Sequence, residues 1–200
     1  MKRNEVSDPN GAAMNLGAIG NLAHRLKLVR ELPPRLVYAK IAKRLPWSDK
    51  RAVRVAEIVH SPRDLQPDRL FGFFRTQEAL LQERVGWQPI DFADRKVIEI
   101  GPGPLAGCGL MAIFRGAAQV YGVDPDWIEG AIDDPAVAEA YLRPHHAALV
   151  EAFGALMDYH TFRTRLADGL KVEAVGLEQA APGFTADIVM SNSCLEHIEG

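Results

Sequence analysis

Cysteine is nearly absent: only Cys108 and Cys194 occur in 200 residues, each inside an apolar pattern. Two thiols cannot build the disulfide framework that staples small secreted domains, so a reduced, cytoplasmic setting is expected. Charge of one sign is also lacking. Lys and Arg number 23 against 26 Asp and Glu, a net charge of −3 with neutral histidine. That balance argues against the basic footprint of a nucleic-acid binder. No run of about 18 apolar residues exists, so no membrane span is expected. The opening Met1–Asp8 is polar and of mixed charge, without the apolar core of a signal peptide, and its acids argue against a transit peptide.

What remains is ordinary for a folded domain: 48% hydrophobic and 24% charged residues. Residues 1–20 show little periodicity and suggest a loose arm. Residues 21–31 place Leu22, Leu26 and Val29 on one helical face before Pro33-Pro34 stops the pattern. A second amphipathic helix is expected at about 35–45 and a third at 68–86, where Leu70, Phe73, Phe74, Leu80 and Leu81 form a stripe. Basic residues gather between Arg25 and Arg54. They read as the solvated side of successive helices, with a docking surface for an acidic partner, anionic lipid or nucleic acid as the alternative; only Tyr38 and Trp47 interleave with them, which gives the nucleic-acid version little support. The first 90 residues are expected to be an arm and helical segment forming a cap or the substrate side.

After Trp87-Gln88-Pro89 the pattern changes. Lys96–Ile100 is a short β-branched run ending at glycine, as in a buried parallel strand. Leu105–Phe114 reads as a helix and Gln119–Val123 as a second strand ending at Asp124. Residues 135–158 read as a long helix broken or kinked at Pro144, 170–175 as a third strand, and 186–190 as a fourth. Alternating strands and helices predict an α/β fold for 91–200: a mostly parallel sheet with helices on both faces.

Ligands of open α/β sheets bind beyond the carboxyl ends of the strands. Gly101-Pro102-Gly103-Pro104 follows the first strand, and Gly101-x-Gly103-x-x-Ala106 formally meets the dinucleotide fingerprint. A pyrophosphate needs backbone N–H donors, however, and Pro102 and Pro104 have none. The loop suits a ligand without phosphate whose ammonium seeks carbonyls and a carboxylate, and Glu99 supplies an acid two residues upstream. Asp124, at the tip of the second strand, can accept from both hydroxyls of a ribose. It can also cap the next helix, with Asp126 as the alternative cap.

Glu99-x-Gly101-x-Gly103, Gly122-Val123-Asp124 and Asp187–Asn192 with Leu195-Glu196-His197-Ile198 together resemble the class I, Rossmann-like methyltransferases that use S-adenosylmethionine, over roughly residues 95–200. The resemblance implies that Glu99, Gly101, Pro102 and Gly103 hold the methionine portion. It implies ribose on Asp124, and Asn192 beside the methionine carboxylate or the reacting centre. A small-molecule, glycan or lipid-precursor acceptor would receive the methyl group by in-line displacement.

The sequence departs from the family pattern where Leu105 takes the third glycine's place, and no clear acid follows the third strand for the adenine. Some members bind a metal through Glu-x-x-Glu-His, but Ser193 stands at the first position here, so no metal is expected. His197 is a candidate general base, although its segment also reads as the first turn of a packed helix. His145, His146 and His160 are expected on helix surfaces. No strand is read after the fourth, which implies a sheet incomplete at its C-terminus. Such a chain would be a fragment that binds the cofactor weakly and turns nothing over by itself. Two alternatives stand beside the methyltransferase: an NAD(P)-dependent oxidoreductase and a non-catalytic Rossmann-like binding domain.

Overall fold

Short β-branched segments pair into a four-stranded sheet in a computed structural model of the chain. The described residues are 49–61 and 65–191, with Pro34, Val37, Ile41 and Ala42 before them; the side chains of 68–70 are not described. The expected helix at 21–31 therefore lies outside the described residues. So does the one at 35–45, apart from Val37, Ile41 and Ala42, which are helical.

The strands are β1 (Lys96–Ile100), β2 (Gln119–Val123), β3 (Leu170–Glu173) and β4 (Ile188–Ser191). All pair in parallel in the order β3-β2-β1-β4. Val97 aligns with Val120 and Ile188, and Val120 with Leu170. Side chains alternate across a strand, so Val97, Glu99, Val120, Gly122, Leu170 and Ile188 share one face.

Six α-helices accompany the sheet among the described residues. Asp49 caps α1 (Lys50–Val59) by accepting from the Arg51 and Ala52 N–H groups at 2.9 and 3.1 Å. α2 (Pro67–Val85) has proline in its first turn and ends at Gly86 in the left-handed conformation, close to the expected 68–86. α3 (Gly109–Phe114) is shorter than the expected Leu105–Phe114. Gly103, Ala106 and Gly107 all have positive φ, and a run of such residues cannot continue a right-handed helix.

The segment expected at 135–158 is helical through α4 (Pro135–Val137), a π-helical turn over Ala138–Leu142, and α5 (Arg143–Phe153). Pro144 has no N–H, and the wider turn just before it takes up the misfit. α6 (Tyr159–Gly169) was not expected from periodicity. Its start was legible, since Asp158 accepts from both the N–H and the hydroxyl of Thr161 at 2.9 Å.

One apolar cluster joins the first face of the sheet to the helices. Val97 and Val120 share it with Val55 and Ile58 of α1, Phe71 of α2, Leu110–Phe114, Val137, Leu142, Leu149, Phe162 and Leu166. This cluster thus runs across residue 90, with a smaller one of Ala42, Val53 and Ala56 at α1. Arg115 reinforces that junction. It donates to both Glu78 oxygens (3.1 and 3.2 Å) and to the Ile90 carbonyl (2.8 Å), and its guanidinium lies 4.9 Å from the Phe92 and Phe153 ring centres.

The expectation of helices on both faces needs correction for the described residues. Ile98, Tyr121 and Val123, on the opposite face, lie outside the helical cluster. Tyr121 is covered by the β3–β4 crossover, edge-on to Phe184 and accepting at its hydroxyl from the Ala181 N–H at 3.3 Å. That crossover holds only a 3-10 turn, Leu177–Gln179. Its Gly176, Pro182 and Gly183 interrupt any helical pattern. Further along this face Val189 is 63% exposed. No helix among the described residues is long and apolar enough to cross a membrane.

Candidate functional site

The carboxyl ends of β1 and β2 lie side by side, with Ile100 paired to Val123 and the Gly101 N–H donating to the Val123 carbonyl at 3.0 Å. The chain then winds through residues 101–108 before α3 begins. Gly101, Gly103, Ala106 and Gly107 adopt φ of 73°, 74°, 72° and 42°. Glycine takes this conformation freely, whereas Ala106 is held there although its side chain is fully buried.

Glu99 sits at the centre of the loop. It is only 4% exposed, and its two carboxyl oxygens accept from the Cys108 and Gly109 N–H groups, each at 2.6 Å. The Cys108 N–H has no backbone acceptor, and the Gly109 N–H is shared with the Ala106 carbonyl at 2.9 Å, so Glu99 acts as an internal cap for α3 reaching across from the neighbouring strand. Burial pushes its carboxyl up to about 8; the two N–H bonds pull the other way, and the charge of Asp124 adds to the rise. Cys108 is buried beside it, and burial followed by the proximity of Glu99 pushes its thiol far above the ordinary range.

Two glycines make this arrangement possible. A Cβ on Gly107 would collide with Glu99 and stand 2.6 Å from the Pro102 carbonyl oxygen and 2.8 Å from the Pro102 Cα. A Cβ on Gly122 would meet the Pro102 ring at 3.0 Å and Val172 at 3.1 Å. Pro102 is accordingly buried, its ring seated on β2 at Gly122. Gly103 differs, because a Cβ there would enter open space. Gly107 thus fills the close-approach role that the three-glycine spacing assigns to position 105. The sequence signal for this role is the spacing Gly101-x-Gly103-x-x-x-Gly107 rather than a glycine at 105.

Asp124 follows β2 and is 9% exposed. Its Oδ2 accepts from the Gly103 N–H and its Oδ1 from the Asp126 N–H, both at 2.7 Å. The carboxylate therefore ties the two strand-end loops together and closes a turn over residues 124–126. It caps no helix, and neither does Asp126. Asp134 performs that task for α4, accepting from the Ala136 N–H at 2.8 Å.

Glu99, Gly101, Pro102, Gly103 and Asp124 are thus brought into one neighbourhood. Asn192 and His197 lie outside the described residues, as do Ser193, Cys194 and Glu196. The other histidines are corrected in part. His145 is buried, its Nδ1–H donating to the Tyr141 carbonyl at 2.7 Å, and burial pushes its imidazole down to about 4. His146 is part-buried against Phe114, Tyr159 and Phe162, while His160 is exposed as expected. No group of three or more His, Cys, Asp or Glu suited to a metal occurs among the described residues.

Fold and site together define an α/β protein with a parallel sheet, a glycine-rich loop after β1 and a nearly buried carboxylate after β2. Comparison with family models, curated proteins and solved structures finds no match to the chain.

Proposed function

We propose that the chain is the cofactor-binding part of a Rossmann-like methyltransferase that uses S-adenosylmethionine. The observation that carries this reading is the position of Glu99. The N–H groups at the start of the helix after β1 are where a dinucleotide's pyrophosphate would need its donors. Here the Cys108 and Gly109 N–H groups are already bonded to an internal carboxylate, and Pro102 and Pro104 supply none. A diphosphate arriving there would find both of those donors already engaged. A cofactor without phosphate meets no such conflict, which disfavours the nicotinamide-dependent alternative.

The residues present fit the proposed group. Asp124 offers a carboxylate at the rim for a ribose diol. Gly103 faces open space, and its neighbours' carbonyls can accept from an ammonium. Glu99 shapes the loop, and its own direct contact with the ligand is limited to whatever acceptor capacity its two N–H bonds leave. When bound, S-adenosylmethionine supplies a methyl group on a positively charged sulfur. The protein then orients the acceptor in line and excludes water. A base is needed only where the acceptor must lose a proton, and His197 is proposed for that role. The acceptor is proposed to be a small molecule, or a glycan or lipid precursor.

Isothermal titration with S-adenosylhomocysteine and, separately, NAD tests the reading. Heat with the first and none with the second is expected, and Asp124→Asn should weaken that binding about tenfold by removing a charged acceptor. Binding of NAD in preference would refute it.

A further inference from the structure

A continuous set of bonds joins α1 to the glycine loop, although α1 lies some 70 residues away in sequence from the turn it grips. Arg54 donates through Nη2 to the Asp126 carbonyl at 2.9 Å and to the Asp126 carboxylate at 3.1 Å. One turn earlier, Arg51 donates to the Gly130 carbonyl at 2.9 Å. Gly130 is in the left-handed conformation, and a Cβ there would stand 3.1 Å from the Arg51 guanidinium. The two arginines thus bracket both ends of the 126–130 turn. The Asp126 N–H donates in turn to Asp124, whose other oxygen accepts from Gly103. Val55 and Ile58 anchor α1 in the core below, so the arginines reach out from a fixed base.

We infer that Arg54 is a positioning residue for the nucleoside end of the site, orienting the Asp124 carboxylate through the Asp126 turn and so coupling the N-terminal helical segment to ligand binding. This inference rests on the reading of Asp124 as a ribose acceptor. A carboxylate already bonded to Gly103 and Asp126 can take up a diol only by sharing or yielding those bonds. The stiffness of the Asp126 turn then sets how readily it does so. Arg54 fixes that stiffness by holding the carbonyl and the side chain of Asp126 at once. Both bonds leave from one nitrogen, so a lysine ammonium, with three donors but no planar guanidinium to fix its direction, keeps only part of the grip.

The test has a ligand-free arm and a ligand arm. Without ligand, Arg54→Ala should move the amide proton resonances of Asp126 and Gly103 while leaving Ile113 unmoved. An unmoved Gly103 resonance would overturn the relay. With S-adenosylhomocysteine as probe, Arg54→Ala should raise Kd about 3- to 5-fold, the range of a partly exposed ion pair, and Arg54→Lys should recover part of the loss. The effects of Arg54→Ala and Asp124→Asn should fall short of additive, because both act through one carboxylate. Full additivity would overturn the positioning role. Failure of the unmodified chain to bind the probe would overturn the cofactor reading alone, because the resonance shift is read without ligand.

Discussion

Gly107 and Gly103 provide a controlled pair for separating what builds the loop from what faces a ligand. Both have positive φ, 42° and 74°. An alanine at either position pays the left-handed penalty of about 1–2 kcal/mol. The surroundings then diverge. At Gly103 the new methyl enters open space, so Gly103→Ala should cost about 1–2 kcal/mol and no more. At Gly107 it meets the Pro102 backbone at 2.6 and 2.8 Å and collides with Glu99. Backbone cannot rotate away, so an overpacking cost of about 1–3 kcal/mol is added. Displacing Glu99 would further strip the bond from the Cys108 N–H, worth about 1 kcal/mol, while the Gly109 N–H keeps the Ala106 carbonyl. Gly107→Ala should therefore destabilise by about 3–6 kcal/mol. Urea unfolding followed by far-ultraviolet circular dichroism measures both. Equal losses at the two positions would refute the view that Gly107 is the close-approach glycine. Binding should show the reverse order: Gly103→Ala remains folded and loses affinity for S-adenosylhomocysteine.

The pH dependence of stability carries two opposed signatures. Glu99 is raised from 4.5 to about 8, so the folded protein holds its proton where the unfolded chain has released it. Its contribution is full below pH 4.5 and declines as pH rises toward 8; the stability of the unmodified protein relative to Glu99→Gln should narrow across that window. His145 runs the other way, since it is lowered from 6.5 to about 4. Its contribution is present above pH 6.5 and is lost as pH falls toward 4. His145→Gln should flatten that acid limb in urea titrations between pH 4 and 7, and an unchanged limb would contradict its burial as a neutral ring. Arg115→Ala should cost about 1–3 kcal/mol, because it leaves the Ile90 carbonyl without this donor and the part-buried Glu78 carboxylate with the Ile90 N–H alone; a thermal midpoint within a degree of the unmodified protein would refute the clamp.

The strands were legible because each is a short β-branched run closed by glycine or a turn residue, a local signal. β1 and β2 fall at the expected residues and β3 begins where expected, while β4 is observed at Ile188–Ser191 against an expected 186–190. Asp124 was legible too, since an acid just past a strand in this kind of sheet can only stand at its carboxyl end. Periodicity did not reveal α6. The boundary between α5 and α6 is set by the Gly154–Asp158 connection, and the mixed face of 159–169 hides its two buried residues, Phe162 and Leu166. Helix α3 begins later than Leu105 because Gly101, Gly103, Ala106 and Gly107 take positive φ; the glycines permit this locally, whereas Ala106 has no such freedom and its conformation is held by the packed loop around it.

By itself, then, the chain's sequence determined the alternation of strands and helices and the placing of an acid at or near the end of each of the first two strands, because these depend on neighbours within a few residues. Tertiary structure decided what those acids do. Glu99 turns inward to cap α3 because parallel pairing sets β1 directly beneath the loop that leads into that helix. Asp124 bridges two loops because β1 and β2 end in register. Arg54 reaches Asp126 only because α1, distant in sequence, shares its core with the sheet.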